Sequence, residues 1–175
     1  MALGTSMGLV AKVSVMDAPI ELRPLTDNNR AELEALRITP DQENFVSTVA
    51  ASIAEGVEDV GGRAIAWGVY LDGRPVGFVM ISDDVDGPEY IPHYLWKLII
   101  DERYQRRGLG TAALDEVVAY FRSRTGVEAM WTSAGQGPGS PISFYEGYGF
   151  VDTGRIVFDN EVLLRLDLTG PATDR

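Results

Sequence analysis

The sequence predicts an α/β protein, one mixed sheet with helices on its faces, and three observations point that way. The run "YLWKLIID", residues 94–101, is almost unbroken in apolar character, as a central strand covered on both faces must be. Two β-rich runs flank Asp72-Gly73 in "RAIAWGVYLDGRPVGFVMIS", a strong short-range signal for a hairpin. Strand and helix signals then follow one another in the order βαα, ββ, βα, βα, ββ, which requires both kinds of layer around one core.

Each element has its own reason. Residues 1–18 mix small residues with one lysine and keep no period, so they read as a flexible leader; 19–168 read as one domain and 169–175 as a flexible tail. "IELRPL" alternates apolar and polar residues as a first strand, and "TDNNRAELEALRI" follows with Thr26 or Asp27 as the cap of a helix. "DQENFVSTVAASIAEG" places Phe45, Val49 and Ile53 near helical spacing and stops at Gly56, giving a second helix. After the hairpin and the central strand, "GLGTAALDEVVAYF" is a helix entered through glycines. "VEAMWTS" is the next strand, and "SPISFYEGY" a short helix with Pro141 in its first turn. "FVDTGRIVF" and "VLLRLDL" close the chain as an antiparallel pair around Asp159-Asn160.

Composition narrows the chemistry. With 15 basic and 26 acidic side chains among 175 residues the formal charge is −11, which disfavours a nucleic-acid partner. The absence of cysteine removes thiol nucleophiles, disulfides and Cys-containing zinc sites, and one histidine, His93, does not make a His-rich metal site. No apolar run approaches the roughly 20 residues of a membrane span, and the N-terminus has no signal-peptide pattern, so the expectation is a soluble cytoplasmic protein that binds neither metal nor membrane.

The stretch "DERYQRRGLGTAALDEVVAYF" carries the first functional signal. A strand ending in a glycine turn that opens a helix presents unpartnered N–H groups and the positive end of a helix dipole, a nest for an anion. Gly108 and Gly110 let a ligand approach the backbone, and Arg106 and Arg107 add charge in an acidic chain. On these residues alone the glycines equally serve to end a loop beside a solvated arginine pair. Neither a Walker nor a Rossmann pattern is present.

The QxxGxG element, Gln105 to Gly110, follows "LWKLIIDERY" and precedes "FYEGYGF" by about 35 residues, and with these neighbours the chain closely resembles the GCN5-related N-acetyltransferase (GNAT) family over roughly residues 20–168. The resemblance implies a mostly antiparallel sheet of six to seven strands with a splayed parallel pair, and acetyl-CoA as the donor. It assigns the pyrophosphate to main-chain amides of Arg106, Arg107, Gly108, Leu109, Gly110 and Thr111 after Gln105, and the pantetheine arm to Leu98, Ile99 and Ile100, with Phe144 beside them. An amide at Leu98 or Ile99 would face the oxyanion. Tyr145 matches the tyrosine that protonates the departing thiolate, while Tyr148 matches a structural position. Many members carry an asparagine seven residues before this tyrosine; here "GQGPGSP" stands in that region, and Ser140 would partly replace it as a helix cap. The beginning, "LRPLTDNNRAELEAL", and the ending, "GRIVFDNEVLLRLDL", resemble bacterial diamine and spermidine acetyltransferases, and the family's frequent dimerisation implies a homodimer.

An alkylammonium acceptor must lose a proton to a carboxylate, a histidine or a water chain. "SDDVDGPEYIPHYLWK" brings Asp83, Asp84, Asp86 and Glu89 beside Tyr90, His93, Tyr94 and Trp96, able to attract a small cation and pack its methylenes, or simply to form a solvated acidic loop. Glu43 and Glu55, in the second helix, are further carboxylates for the acceptor side. Strand alternation places Trp96 and Leu98 on one face and Lys97 and Ile99 on the other. The function these features favour is acetyl transfer from acetyl-CoA to a small cationic amine of polyamine or diamine type. The rivals are acetylation of a protein N-terminus or lysine, and a CoA-binding sensor without turnover.

Overall fold

The computed structural model describes residues 20–58, 63–83 and 91–170; the expected leader and residues 171–175 of the expected tail lie outside them. Seven strands form one sheet in the order β1-β2-β3-β4-β5-β7-β6. They are β1 (Ile20–Pro24), β2 (Ala64–Leu71), β3 (Arg74–Ser82), β4 (Tyr94–Ile100), β5 (Ala129–Gly135), β6 (Val151–Val157) and β7 (Glu161–Asp167). The helices are α1 (Arg30–Glu34), α2 (Val49–Glu58), α3 (Leu109–Arg122) and α4 (Ile142–Tyr148). Every neighbouring pair is antiparallel except β4 and β5.

Alternation along β3 divides the core. Val79 and Ile81 face α3 and α4 in a cluster with Leu114, Val117, Phe121 and Tyr148, while Phe78 and Met80 face α1 and α2 with Leu33, Val49 and Ile53. Both faces of this strand are therefore dry, which is why it reads as a nearly continuous apolar run. The β2–β3 hairpin turns at Asp72 (φ 50°) and Gly73 (φ 74°), the two left-handed residues that a tight twisted hairpin needs.

The structure departs from the sequence expectations at three places, each for a local reason. The first helix starts at Arg30, because the Asn29 side chain accepts from the Thr26 N–H (2.7 Å) and holds the preceding residues in a turn. The expected helix over 41–56 divides: Pro40–Gln42 forms a single 3-10 turn, residues 43–48 are irregular, and α2 begins at Val49 and runs past Gly56 to Glu58. Phe45 thus belongs to a loop. In β4 the register against β3 pairs Met80 with Lys97 and Ile81 with Leu95, so Trp96 is an extra, bulged residue. The bulge breaks alternation: Leu98 packs with the α3 side, and Trp96 joins Ile99 on the α2 side, opposite to the expected pairing of Trp96 with Leu98.

The same bulge positions the site. β4 and β5 share one register pair, Tyr94 with Trp131, closed by the Trp131 N–H to the His93 carbonyl at 3.0 Å. One residue on, the Thr132 hydroxyl donates to the Leu95 carbonyl at 3.0 Å. Beyond that tie the two strands diverge. No helix among the described residues is long and apolar enough to cross a membrane.

Candidate active site

The divergence of β4 from β5 opens three adjoining hollows. The first, about 380 Å³, is bounded by Leu98 and Ile100 of β4, the turn from Tyr104 into α3, and Pro141, Phe144 and Tyr145 around α4. A narrow one of about 80 Å³ follows between Leu98, Thr132, Ser133 and Tyr145. It shares Phe45, Trp96, Lys97 and Ser133 with an outer cavity, again about 380 Å³, that Arg63, Tyr94, Phe158 and Glu161 also line.

At the first cavity the turn has the geometry of an anion nest. Arg106 (φ 57°) and Gly108 (φ 78°) are left-handed, and Gly108 immediately precedes α3. The first helical bond is the Ala112 N–H to the Gly108 carbonyl, 3.0 Å, so the N–H groups of residues 109–111 have no partner within the helix. A Cβ on Gly108 would meet nothing within 4 Å, so backbone conformation rather than space explains this glycine. Gly110 has the opposite reason: a Cβ there would lie 3.3 Å from the Phe144 ring. Glycine at 110 lets α4 pack onto α3, and it also borders the cavity, where the sequence expects it to admit a ligand.

The turn is held from behind. The Asp101 carboxylate, fully buried, accepts from the N–H of Arg37 (3.1 Å) and of Arg103 (3.0 Å) and from the Arg103 guanidinium (2.7 Å). Burial works to raise its pKa, but these donors outweigh that and hold it below the ordinary range. The Gln105 amide donates to the Ile100 carbonyl (2.9 Å) and to the Gln42 side chain (2.7 Å), tying the nest to the loop that carries Phe45.

Tyr145 stands where the first two hollows meet. It is 7% exposed, and burial, offset in small part by a hydrogen bond with Thr132, pushes its phenol up to about 12. The group is therefore protonated at neutral pH, as an acid must be. Tyr148, three residues on, donates to Asp115 at 2.6 Å and packs in the core. Ser140 precedes α4; its hydroxyl donates to the Gly135 carbonyl (2.6 Å) and accepts from the Ile142 N–H (3.3 Å).

Several sequence candidates converge on this cleft and others do not. Leu98, Ile100, Gln105, Arg106, Gly108, Leu109, Gly110, Thr111 and Phe144 border the first cavity with Tyr145. Ile99 points its side chain into the opposite core, and Arg107 lies over the Tyr104 ring, 5.5 Å from guanidinium carbon to centroid. Tyr94 and Trp96 line the outer cavity. His93 does not: its Nδ1 pairs with Asp83 at 3.1 Å and its ring meets Phe121. Asp83 also takes the Tyr120 hydroxyl (2.8 Å) and Arg124 (2.6 Å), so this carboxylate pins α3 to the sheet. Glu43 borders a separate hollow near Arg37 and Glu102. Asp84, Asp86, Glu89 and Tyr90 lie outside the described residues.

Glu55 meets Lys97 at 2.8 Å and the Ser47 hydroxyl at 2.7 Å; burial opposes its ionisation, but these two partners prevail and lower its pKa. Sequence reasoning missed Gln42, Ser133, Phe158 and Glu161, and placed Phe45 in a helix. None carries a local motif, and each reaches the cleft only through tertiary packing.

The profile described as the Acetyltransferase (GNAT) family matches residues 30–150. The chain is 24% identical over 156 residues to the spermine/spermidine N(1)-acetyltransferase of Bacillus subtilis, covering 85% of this chain and 99% of that protein. Among solved structures it is similar to an acetyltransferase from Thermus thermophilus (20% identity, TM-score 0.61, 87% of this chain and 98% of that one). It is also similar to the spermidine/spermine N-acetyltransferase of Vibrio cholerae (14% identity, TM-score 0.59, 86% and 93%). Likeness at these identities to solved structures concerns the fold.

Proposed function

The chain belongs to the GNAT acetyltransferase family, and from that premise we propose that it is an acetyl-CoA-dependent N-acetyltransferase acting on a primary amine of a small cationic, polyamine- or diamine-like molecule. The observation that carries this reading is the continuity of the cleft: an anion nest, a buried protonated phenol and an outer cavity of aromatic and charged side chains stand in series along the β4–β5 split. The Bacillus relative supports the acceptor class.

The donor's pyrophosphate fits the free N–H groups at the start of α3, where the helix dipole adds to Arg106. Its thioester supplies the activated acyl group. Leu98 and Ile100 bound the arm leading inward, and a main-chain N–H at Leu98 or Ile99 meets the oxyanion. The amine attacks directly in a ternary complex, and Tyr145 gives its proton to the departing sulfur.

Release of free thiol from acetyl-CoA, measured against spermidine, 1,4-diaminobutane, aminoglycosides and lysine peptides, tests this function. Turnover on the small amines, with kcat lowered about 100-fold in Tyr145→Phe, is the expected result. CoA binding without thiol release on any amine would instead mark a sensor. Preference for lysine peptides would mark a protein acetyltransferase.

A further inference from the structure

The outer cavity contains a hydrogen-bonded chain that the reaction outlined above does not use. The Tyr94 hydroxyl lies 2.5 Å from Ser133 Oγ, and the Ser133 hydroxyl in turn donates to Glu161 Oε2. Three strands build it: Tyr94 opens β4, Ser133 lies in β5, and Glu161 opens β7, whose register sets Glu161 against Gly135. The direction of the chain is fixed by its ends. A carboxylate only accepts, so Ser133 donates to Glu161, and Tyr94 then donates to Ser133. Burial first of all, together with the nearby Glu161 charge, raises the Tyr94 phenol far above its ordinary value and keeps it a donor, although the Ser133 bond pulls the other way.

Ser133 is left with one lone pair, and it borders both the outer cavity and the narrow hollow where Tyr145 stands. Among the described residues lining the outer cavity, Glu161 is the carboxylate, half-buried beside the aromatic rings of Trp96, Phe158 and Phe45. Arg63 and Lys97 share that lining; the Lys97 ammonium is engaged by Glu55 at 2.8 Å, and Arg63 has a partner of its own.

We propose that Glu161 receives the acceptor's ammonium group in the outer cavity, and that Ser133 hands the ammonium proton to it as the amine moves toward the thioester. This rests on the acetyltransferase reading above. The balance is simple. The ammonium gives one proton to Ser133 Oγ while Ser133 passes its own to Glu161 Oε2, from which it leaves to solvent. The nitrogen lone pair then forms the C–N bond, the C–S bond breaks, and the sulfur takes the Tyr145 proton. The second nitrogen proton restores Tyr145. A carboxylate at the cavity wall selects for a cation, and the flanking rings accommodate methylenes and hold charge.

Calorimetric titration of spermidine and of 1,4-diaminobutane into the CoA-bound protein, for wild type and Glu161→Gln, tests this without requiring turnover. Glutamine still accepts from Ser133, so the variant removes charge and spares the chain. Amine affinity is expected to fall at least tenfold while CoA affinity stays within twofold, and Glu161→Asp should recover part of the loss. In the thiol assay, the KM for amine should rise with an unchanged KM for acetyl-CoA. Equal amine affinity in wild type and Glu161→Gln would overturn the assignment of Glu161 and leave the acetyltransferase reading standing. Absence of amine binding to the wild type would overturn the assignment as well, whereas absence of thiol release with intact, Glu161-dependent amine binding would count against the reaction alone.

Discussion

Asp101 shows how one side chain serves the whole site. It is a buried carboxylate with four donor contacts, from the N–H groups of Arg37 and Arg103 and two nitrogens of the Arg103 guanidinium, and it fixes the start of the nest against the chain after α1. Its folded pKa lies below the unfolded value near 4, so its contribution to stability is complete above that value and is lost as pH falls through the folded one. Asp101→Asn should therefore lower the unfolding free energy at pH 7 by about 2 kcal/mol. The variant's stability should also decline less between about pH 5 and 2, as read by urea denaturation at each pH. Tyr145 illustrates the opposite shift: with its phenol near 12, it keeps its proton through the neutral and mildly alkaline range. The identity of these two residues is plain in the sequence, but only Tyr145 carries a motif that marks it as functional.

Among the elements, the strands and α3 are legible because their periods are unambiguous: β3 and β4 run apolar, and α3 has Leu109, Ala113, Leu114, Val117 and Phe121 on its buried face. The segment 41–48 is not, because Phe45 and Val49 have helical spacing while Pro40 and the paired Gln42 and Gln105 amides hold the chain in another course. The Trp96 bulge is equally silent, since one extra residue in a strand leaves no compositional mark. Phe45 has a tertiary purpose instead: a Cβ on Gly135, Gly137 or Gly139 would lie 3.6 or 3.7 Å from its ring, so a glycine-rich loop wraps it at the wall between the inner and outer hollows. Phe45→Ala is expected to cost about 2 kcal/mol, below the range for a fully buried ring. The amine KM should rise at least fivefold, as saturation curves would show.

For the molecule as a whole, the sheet ends in β6, an edge strand with exposed Val151 and Ile156, followed by Phe158, which is 63% exposed and also borders the outer cavity. An unpaired edge with apolar side chains favours a second copy. Light scattering should find a homodimer, and Ile156→Lys should shift it to monomer; a wild-type monomer at micromolar concentration would reject the arrangement. The nest and Tyr145 could be found from the sequence because each is a compact local motif. The wall of the outer cavity could not, since Phe45, Ser133, Phe158 and Glu161 are brought together from four separate segments. Among the described residues the first and outer hollows share no lining residue, and the narrow one borders both. For a two-substrate reaction run through such a passage, the spent carrier and the acylated product have separate exits. Neither departure has to precede the other, and the passage by itself imposes no obligatory sequence on the catalytic cycle.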